Sequence, residues 1–319
     1  MNDIHGRVYA DKSVVNVQDF TFAEADGGRY TAKGGMKFDD SRQLFGVLDV
    51  TNGSVKNLLT LLDRSNEHID GKLNGSVEIG GTRDNPSVNV TGKINDVSID
   101  EKIVGDATID ASFANRKFKV TTLKLPVGDG LIAIGGTMDL DGQADLQVAL
   151  KDVDIVPFLP LMGKDIQATG WVTGVVNITG ETKNPKVELS GAVESGSFNG
   201  VGIDEGFVLA TMQDQVIQIQ RIQGAKSGYK LSVYGKIPLA AIFTSGYIPA
   251  NDSKSMDVTI DFNEADMAVI PLLTTSVKEA TGPLKGTVHI TGTIDQPEAY
   301  GTVSVRNGTM KLASVENQI

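Results

Sequence analysis

Residues 71–92 read GKLNGSVEIGGTRDNPSVNVTG, residues 170–191 read GWVTGVVNITGETKNPKVELSG, and residues 282–303 read GPLKGTVHITGTIDQPEAYGTV. Aligned from the first glycine, six of the 22 positions are identical in all three copies, with no gap. Gly71, Gly170 and Gly282 open the copies, and Gly75, Gly174 and Gly286 follow four residues on. Val77, Val176 and Val288 come next, then Ile79, Ile178 and Ile290, then Gly81, Gly180 and Gly292. Pro86, Pro185 and Pro297 complete the set. The copies start 99 and 112 residues apart, and a recurrence of this kind is the first thing a fold assignment must explain.

Alternation supplies the explanation. Successive side chains of a strand point to opposite faces, so residues two apart share one. In each copy the positions in step with the first glycine are glycine or aliphatic, and Leu73, Val172 and Leu284 belong to the same series. The positions between them are Lys72, Asn74, Ser76 and Glu78 in the first copy and Pro283, Lys285, Thr287 and His289 in the third, a polar face on which Trp171 and Val175 intrude in the second. A polar turn closing on proline interrupts the ladder. The alternation then resumes through Val88, Val90 and Ile94, through Val187, Leu189 and Val193, and through Ala299, Val303 and Val305. Each copy is therefore a strand, a turn and a second strand with one apolar face. Glycines on that face let the sheet bend tightly, leave room for a guest against the backbone, or do both.

The rest of the chain repeats the theme. Alternating runs such as IVGDATIDASF (103–113), KFKVTTLKL (117–125) and GLIAIGGTMDL (130–140) fill the interval after the first copy, with a matching succession after the second and another before residue 50. Short apolar segments at 55–63, 154–163 and 267–277 precede each copy and read as one or two helical turns, broken by Pro157, Pro160 and Pro271. One unit is then six antiparallel strands and a short helix. The chain parses as a partial repeat (1–68), a repeat (69–168), a repeat (169–280) and the start of a truncated one (281–319). The expected fold is all-β: an elongated, curled antiparallel sheet forming a taco-like groove, with short helical segments between repeats. At roughly 4.8 Å per strand, near three such units would extend on the order of 80 Å.

Composition narrows the function. A net charge of −11 with no basic run excludes a nucleic-acid partner, which needs clustered Lys and Arg. With no cysteine there is no disulfide, thiolate metal site or thiol nucleophile. His5, His68 and His289 are far apart, and no metal-binding helix, nucleophile elbow or phosphate loop occurs, so no enzyme, cofactor or metal is expected. The acidic pairs Asp39–Asp40 and Glu24–Asp26 are too sparse for calcium. The N-terminus is not a secretory signal, and no window is long and apolar enough for a spanning helix. Strand-like sequence directly after Met1, and a final repeat that has just restarted, mark the chain as a piece of something longer.

An apolar sheet face has to be covered, and helices of about ten residues per hundred cannot roof it. The sheet must fold on itself or leave a channel of a size that soluble proteins do not leave exposed without use. At these residues, G-x-x-x-G-x-V-x-I-x-G-x-x-x-x-P in three copies, the chain resembles the TamB and AsmA-like family, relatives of the bridge-like lipid transfer proteins. The resemblance implies a taco-shaped β-groove in the periplasm of a double-membraned bacterium, anchored to the inner membrane only through an N-terminal part beyond this sequence. It further implies non-enzymatic transfer of phospholipids between the inner and outer membranes in support of outer-membrane biogenesis, with an outer-membrane barrel assembly protein as a further partner. Phospholipid acyl chains would then slide against Leu73, Val77, Ile79, Val88, Val90 and Ile94, against Val172, Val176, Ile178, Val187, Leu189 and Val193, and against Leu284, Val288, Ile290, Val303 and Val305. The alternative is a structural or adhesive β-solenoid, or a scaffold for outer-membrane protein assembly, in which the same side chains touch each other and not lipid.

Overall fold

The computed structural model describes residues 2–61, 68–162, 167–198, 200–226, 229–239, 255–270, 277–293 and 296–312. The protein is all-β, antiparallel and not closed into a barrel, and its helices are short. Internal contacts divide it into two compact units, Met1–Gly163 with Ile178–Pro185, and Lys164–Asn177 with Lys186–Ile319.

The first unit holds β1 (Asn2–Ala10), β2 (Val14–Ala23), β3 (Arg29–Lys37), β4 (Leu44–Ser54), β5 (Ile69–Gly81), β6 (Pro86–Ile99), β7 (Lys102–Ala114), β8 (Lys117–Val127), β9 (Gly130–Asp139) and β10 (Gln143–Asp154). They pair antiparallel in chain order from β1 to β10. Strand β11 (Ala168–Glu181) contributes residues to both units. The second unit continues with β12 (Lys186–Phe198), β13 (Val201–Gln213), β14 (Val216–Lys226), β15 (Tyr229–Pro238), β16 (Met256–Asp266), β17 (Val277–Thr281), β18 (Pro283–Gly292), β19 (Pro297–Val305) and β20 (Thr309–Leu312). Here β12 to β16 pair in succession, β16 passes to β18 and β18 to β19, while β17 and β20 pair with each other.

Local chemistry fixes the hairpins. Two-residue loops at Asp100–Glu101, Asn115–Arg116 and Asp214–Gln215 have both residues at positive φ, the type I′ geometry whose twist matches that of the strands. Asp and Asn tolerate that left-handed conformation better than most residues, which is why they lead each loop. The repeat's last glycine does the same work in the proline turns: Gly81, Gly180 and Gly292 have φ of 78°, 88° and 81°. Register shifts inside β2, β4 and β6 coincide with Asp19, Asn52 and Asp96, all at positive φ, so each strand carries a bulge at a short polar residue.

The short apolar segments are helical over part of their length, while Asp154 ends β10 and Val277 opens β17. They form α1 (Val55–Leu61), a 3-10 turn at Val156–Phe158 running into α2 (Leu159–Met162), and a 3-10 turn at Met267–Val269. Residues 62–63, 163 and 271–276 of those segments lie outside the described residues. Each turn starts at an oxygen that accepts a free backbone N–H. Ser54 Oγ accepts from Asn57 at 3.2 Å, and the carboxylates of Asp154 and Asp266 accept from Val156 and Ala268, each at 3.0 Å. The best-buried apolar cluster lies in the second unit, where Val258, Ile260 and Phe262 of β16 meet Met267, Val277, Ala280 and Leu284.

Candidate functional site

Strand register brings the expected lining positions shoulder to shoulder. Across β5 and β6, Leu73 is opposite Ile94, Gly75 opposite Gly92, Val77 opposite Val90 and Ile79 opposite Val88. The rows run on into neighbouring strands. Val77 lies beside Leu48, Leu48 beside Ala32 and Ala32 beside Phe20. In the other direction Val90 is followed by Ala111, Val120, Gly136 and Leu146. This single row crosses β2 to β10 without a charged or polar side chain, a path of about 40 Å at ordinary strand spacing. In the second unit Leu189 leads through Ala210, Ile219, Gly235, Val258 and Ile290 to Ala299.

Burial separates these positions. Leu73, Val77, Val88, Val90 and Ile94 are half-buried, as are Val172, Val176, Ile178, Val187, Leu189 and Val193. Ile79 is exposed. In the third copy Val288 and Ile290 are half-buried, Val303 and Val305 are 42 % exposed, and Leu284 is sealed at 1 %. Side chains locked between two apolar layers would be buried, and most of these are not. The seventeen positions thus range from sealed to exposed, and they do not share one degree of burial.

The repeat's glycines are occupied space. A Cβ on Gly75 would lie 2.3 Å from the carbonyl oxygen of Thr91 and 2.8 Å from the Cα of Gly92. On Gly174 it would meet the oxygen of Ser190 at 2.8 Å and the Cα of Gly191 at 3.0 Å, and on Gly286 the oxygen of Thr302 at 2.1 Å. What the structure shows at these glycines is close approach of the neighbouring strand's backbone. No guest could use that volume.

Several polar groups are engaged within the protein. Asp39 accepts from the Ser41 hydroxyl, which holds its carboxyl below the usual range, and Asp26 is lowered likewise by the Lys72 ammonium. The Glu24 carboxylate takes the Tyr30 hydroxyl at 3.0 Å, the Asn57 amide at 3.0 Å and the Ser54 backbone N–H at 3.1 Å. Burial, and then that hydrogen bond, push the Tyr30 phenol well above the ordinary tyrosine range. His289 lies 3.6 Å from Asp257 and 3.2 Å from the Thr259 hydroxyl. Among the described residues no group of three His, Cys, Asp or Glu is placed to hold a metal ion, and no helix is long and apolar enough to cross a membrane.

Two features escaped the sequence reading. Phe20, Leu48, Val120 and Leu146 extend the rows, and the alternation of their own strands was the signal for them. The β17–β20 pair had no such signal, because a five-residue and a four-residue strand are too short to show a period. No family model, curated protein or solved structure matches the chain.

Proposed function

We propose that the chain is a non-enzymatic lipid carrier, moving phospholipids along its apolar sheet face between the inner and outer membranes of a double-membraned bacterium. The observation that carries this reading is the row from Phe20 to Leu146, apolar across nine consecutive strands, with half-buried Val77 and Val90 at its centre. An acyl chain laid on such a row gains roughly 0.8 kcal/mol per methylene removed from water. Moving one strand along exchanges like contacts for like, so the barrier to sliding is small compared with the cost of leaving. The periplasm as the setting, and an outer-membrane barrel assembly protein as a partner, are what the resemblance to the TamB and AsmA-like family implies.

One observation favours the scaffold reading at one place. Around Leu284 the same face is dry core, as a solenoid without cargo would show throughout. The test is to set a charge in the row. Val77→Asp, verified as folded by circular dichroism, is expected to lose most co-purifying phospholipid and most transfer between donor and acceptor vesicles. Unchanged lipid content and transfer in the folded variant would end the carrier reading in favour of the scaffold.

A further inference from the structure

The geometry points to a selective subsite within the second unit: a cavity beside β13, β14 and β15 that receives the head-proximal part of an acyl chain, with Lys226 holding an anionic lipid head at its rim. This rests on the carrier reading and adds the class of lipid. The cavity measures about 230 Å³ and is walled by Phe198, Val201, Ile203, Leu231, Ala265 and Val269. Sites that enclose a whole drug-sized ligand run to about 300–1,000 Å³, so this one takes part of a lipid and leaves the remainder along the apolar face.

Among the described residues three charged ones line it: Lys226, Lys230 and Asp266. The Asp266 carboxylate is engaged, accepting the Ala268 backbone N–H at 3.0 Å to start the 3-10 turn. Lys226 is half-buried and crosses Gly202, where an added Cβ would lie 3.3 Å from its Nζ and 3.5 Å from its Cε. Its ammonium and last methylene therefore lie against Gly202, itself part of the cavity lining, which puts the charge where a lipid head would enter. Among the described residues neither lysine is held in an ion pair. Two lysines against one carboxylate leave a formal +1 at this cavity, on a chain whose net charge is −11.

The adjoining cavity, of about 500 Å³, shares Lys230 and Leu231 but adds Glu194, Asp204 and Glu205. Among the described residues that line it, acids outnumber lysine, a balance less favourable to an anion than that beside Lys226. The contrast sets direction: the head lies at Lys226, and the chain runs from there onto the apolar row.

The test loads the full chain from vesicles of phosphatidylcholine mixed with phosphatidylglycerol of the same acyl composition, then quantifies the lipid that leaves with the re-isolated protein. The expected result is enrichment of phosphatidylglycerol over the vesicle ratio by about fivefold, the scale of one partly screened charge contact. Lys226→Gln should return the captured lipid to the vesicle ratio, and Lys226→Arg should keep the enrichment. Capture at the vesicle ratio by the unaltered protein, or enrichment that survives Lys226→Gln, overturns the subsite while leaving the carrier reading intact. Capture of no lipid at all overturns both.

Discussion

The hairpins β5–β6 and β18–β19 carry the same repeat letters and live in different surroundings. Leu73 and Leu284 hold equivalent positions, yet Leu73 is half-buried and Leu284 is 1 % exposed. The difference lies in what stands over them. Above Leu284 the chain sends Met267, Val277 and Ala280, and the Met267 backbone N–H is tied to the Gly282 carbonyl at 2.9 Å. Gly282 and Gly308 make the cap possible, since a Cβ on Gly282 would lie 2.7 Å from the Gly308 Cα and one on Gly308 2.7 Å from the Met267 Sδ. The partner strands differ in the reverse sense: Val88 and Val90 of β6 are half-buried, whereas all nine residues of β19 are exposed. An apolar face is written into the repeat, and whether that face becomes core depends on a cap that lies outside it.

The sharpest way to break this comparison is to truncate both leucines. Leu284→Ala should cost about 2–5 kcal/mol by urea denaturation, the range for a sealed aliphatic side chain. Leu73→Ala should cost well under half of that, because a half-buried side chain gives up less transfer energy and leaves no closed cavity. Equal losses would mean that Leu73 is core as well, and the distinction between the hairpins would fall. A smaller effect separates glycines that are filled from glycines that are free. Gly75→Ala drives a methyl into the Thr91 carbonyl and should cost about 1–3 kcal/mol. Gly224→Ala, with nothing within 4 Å of the new carbon, should be within about 0.5 kcal/mol of neutral. The same denaturation series reads both.

The smallest expected effect concerns Tyr30, 2 % exposed and hydrogen-bonded to Glu24. Tyr30→Phe should cost about 1 kcal/mol at neutral pH. The fold raises the phenol's pKa, so above the ordinary range near about 10 the unfolded chain releases a proton that the native state keeps. Stability must fall as pH rises through that range, and Tyr30→Phe should flatten the fall. An unchanged alkaline slope in the variant would show that another group is responsible.

Much of this architecture was legible in the chain, for identifiable reasons. The alternating runs at 103–113 and 117–125 became β7 (Lys102–Ala114) and β8 (Lys117–Val127), because a sheet with one apolar face must keep a period of two. Opposition of Val77 to Val90 follows from a turn that fixes the register. The positive-φ residues Asp19, Asn52 and Asp96 were less legible, since a short polar residue inside a strand reads as part of its polar face until the register shows a bulge. The cavity beside Lys226 was not legible at all: its walls come from β12, β13, β14, β15 and β16 and from the 3-10 turn, and no spacing along one strand reports such a meeting.

The sequence by itself determined that this protein is a succession of antiparallel strands with one oily and one wet face, because side-chain direction in a strand is a matter of counting by twos. The tertiary structure alone decided where that oily face is sealed and where it stays reachable. Sealing requires segments distant in the chain, β17 and the turn at Met267 among them, to settle over β16 and β18, and their own few residues carry no periodic mark of that destination.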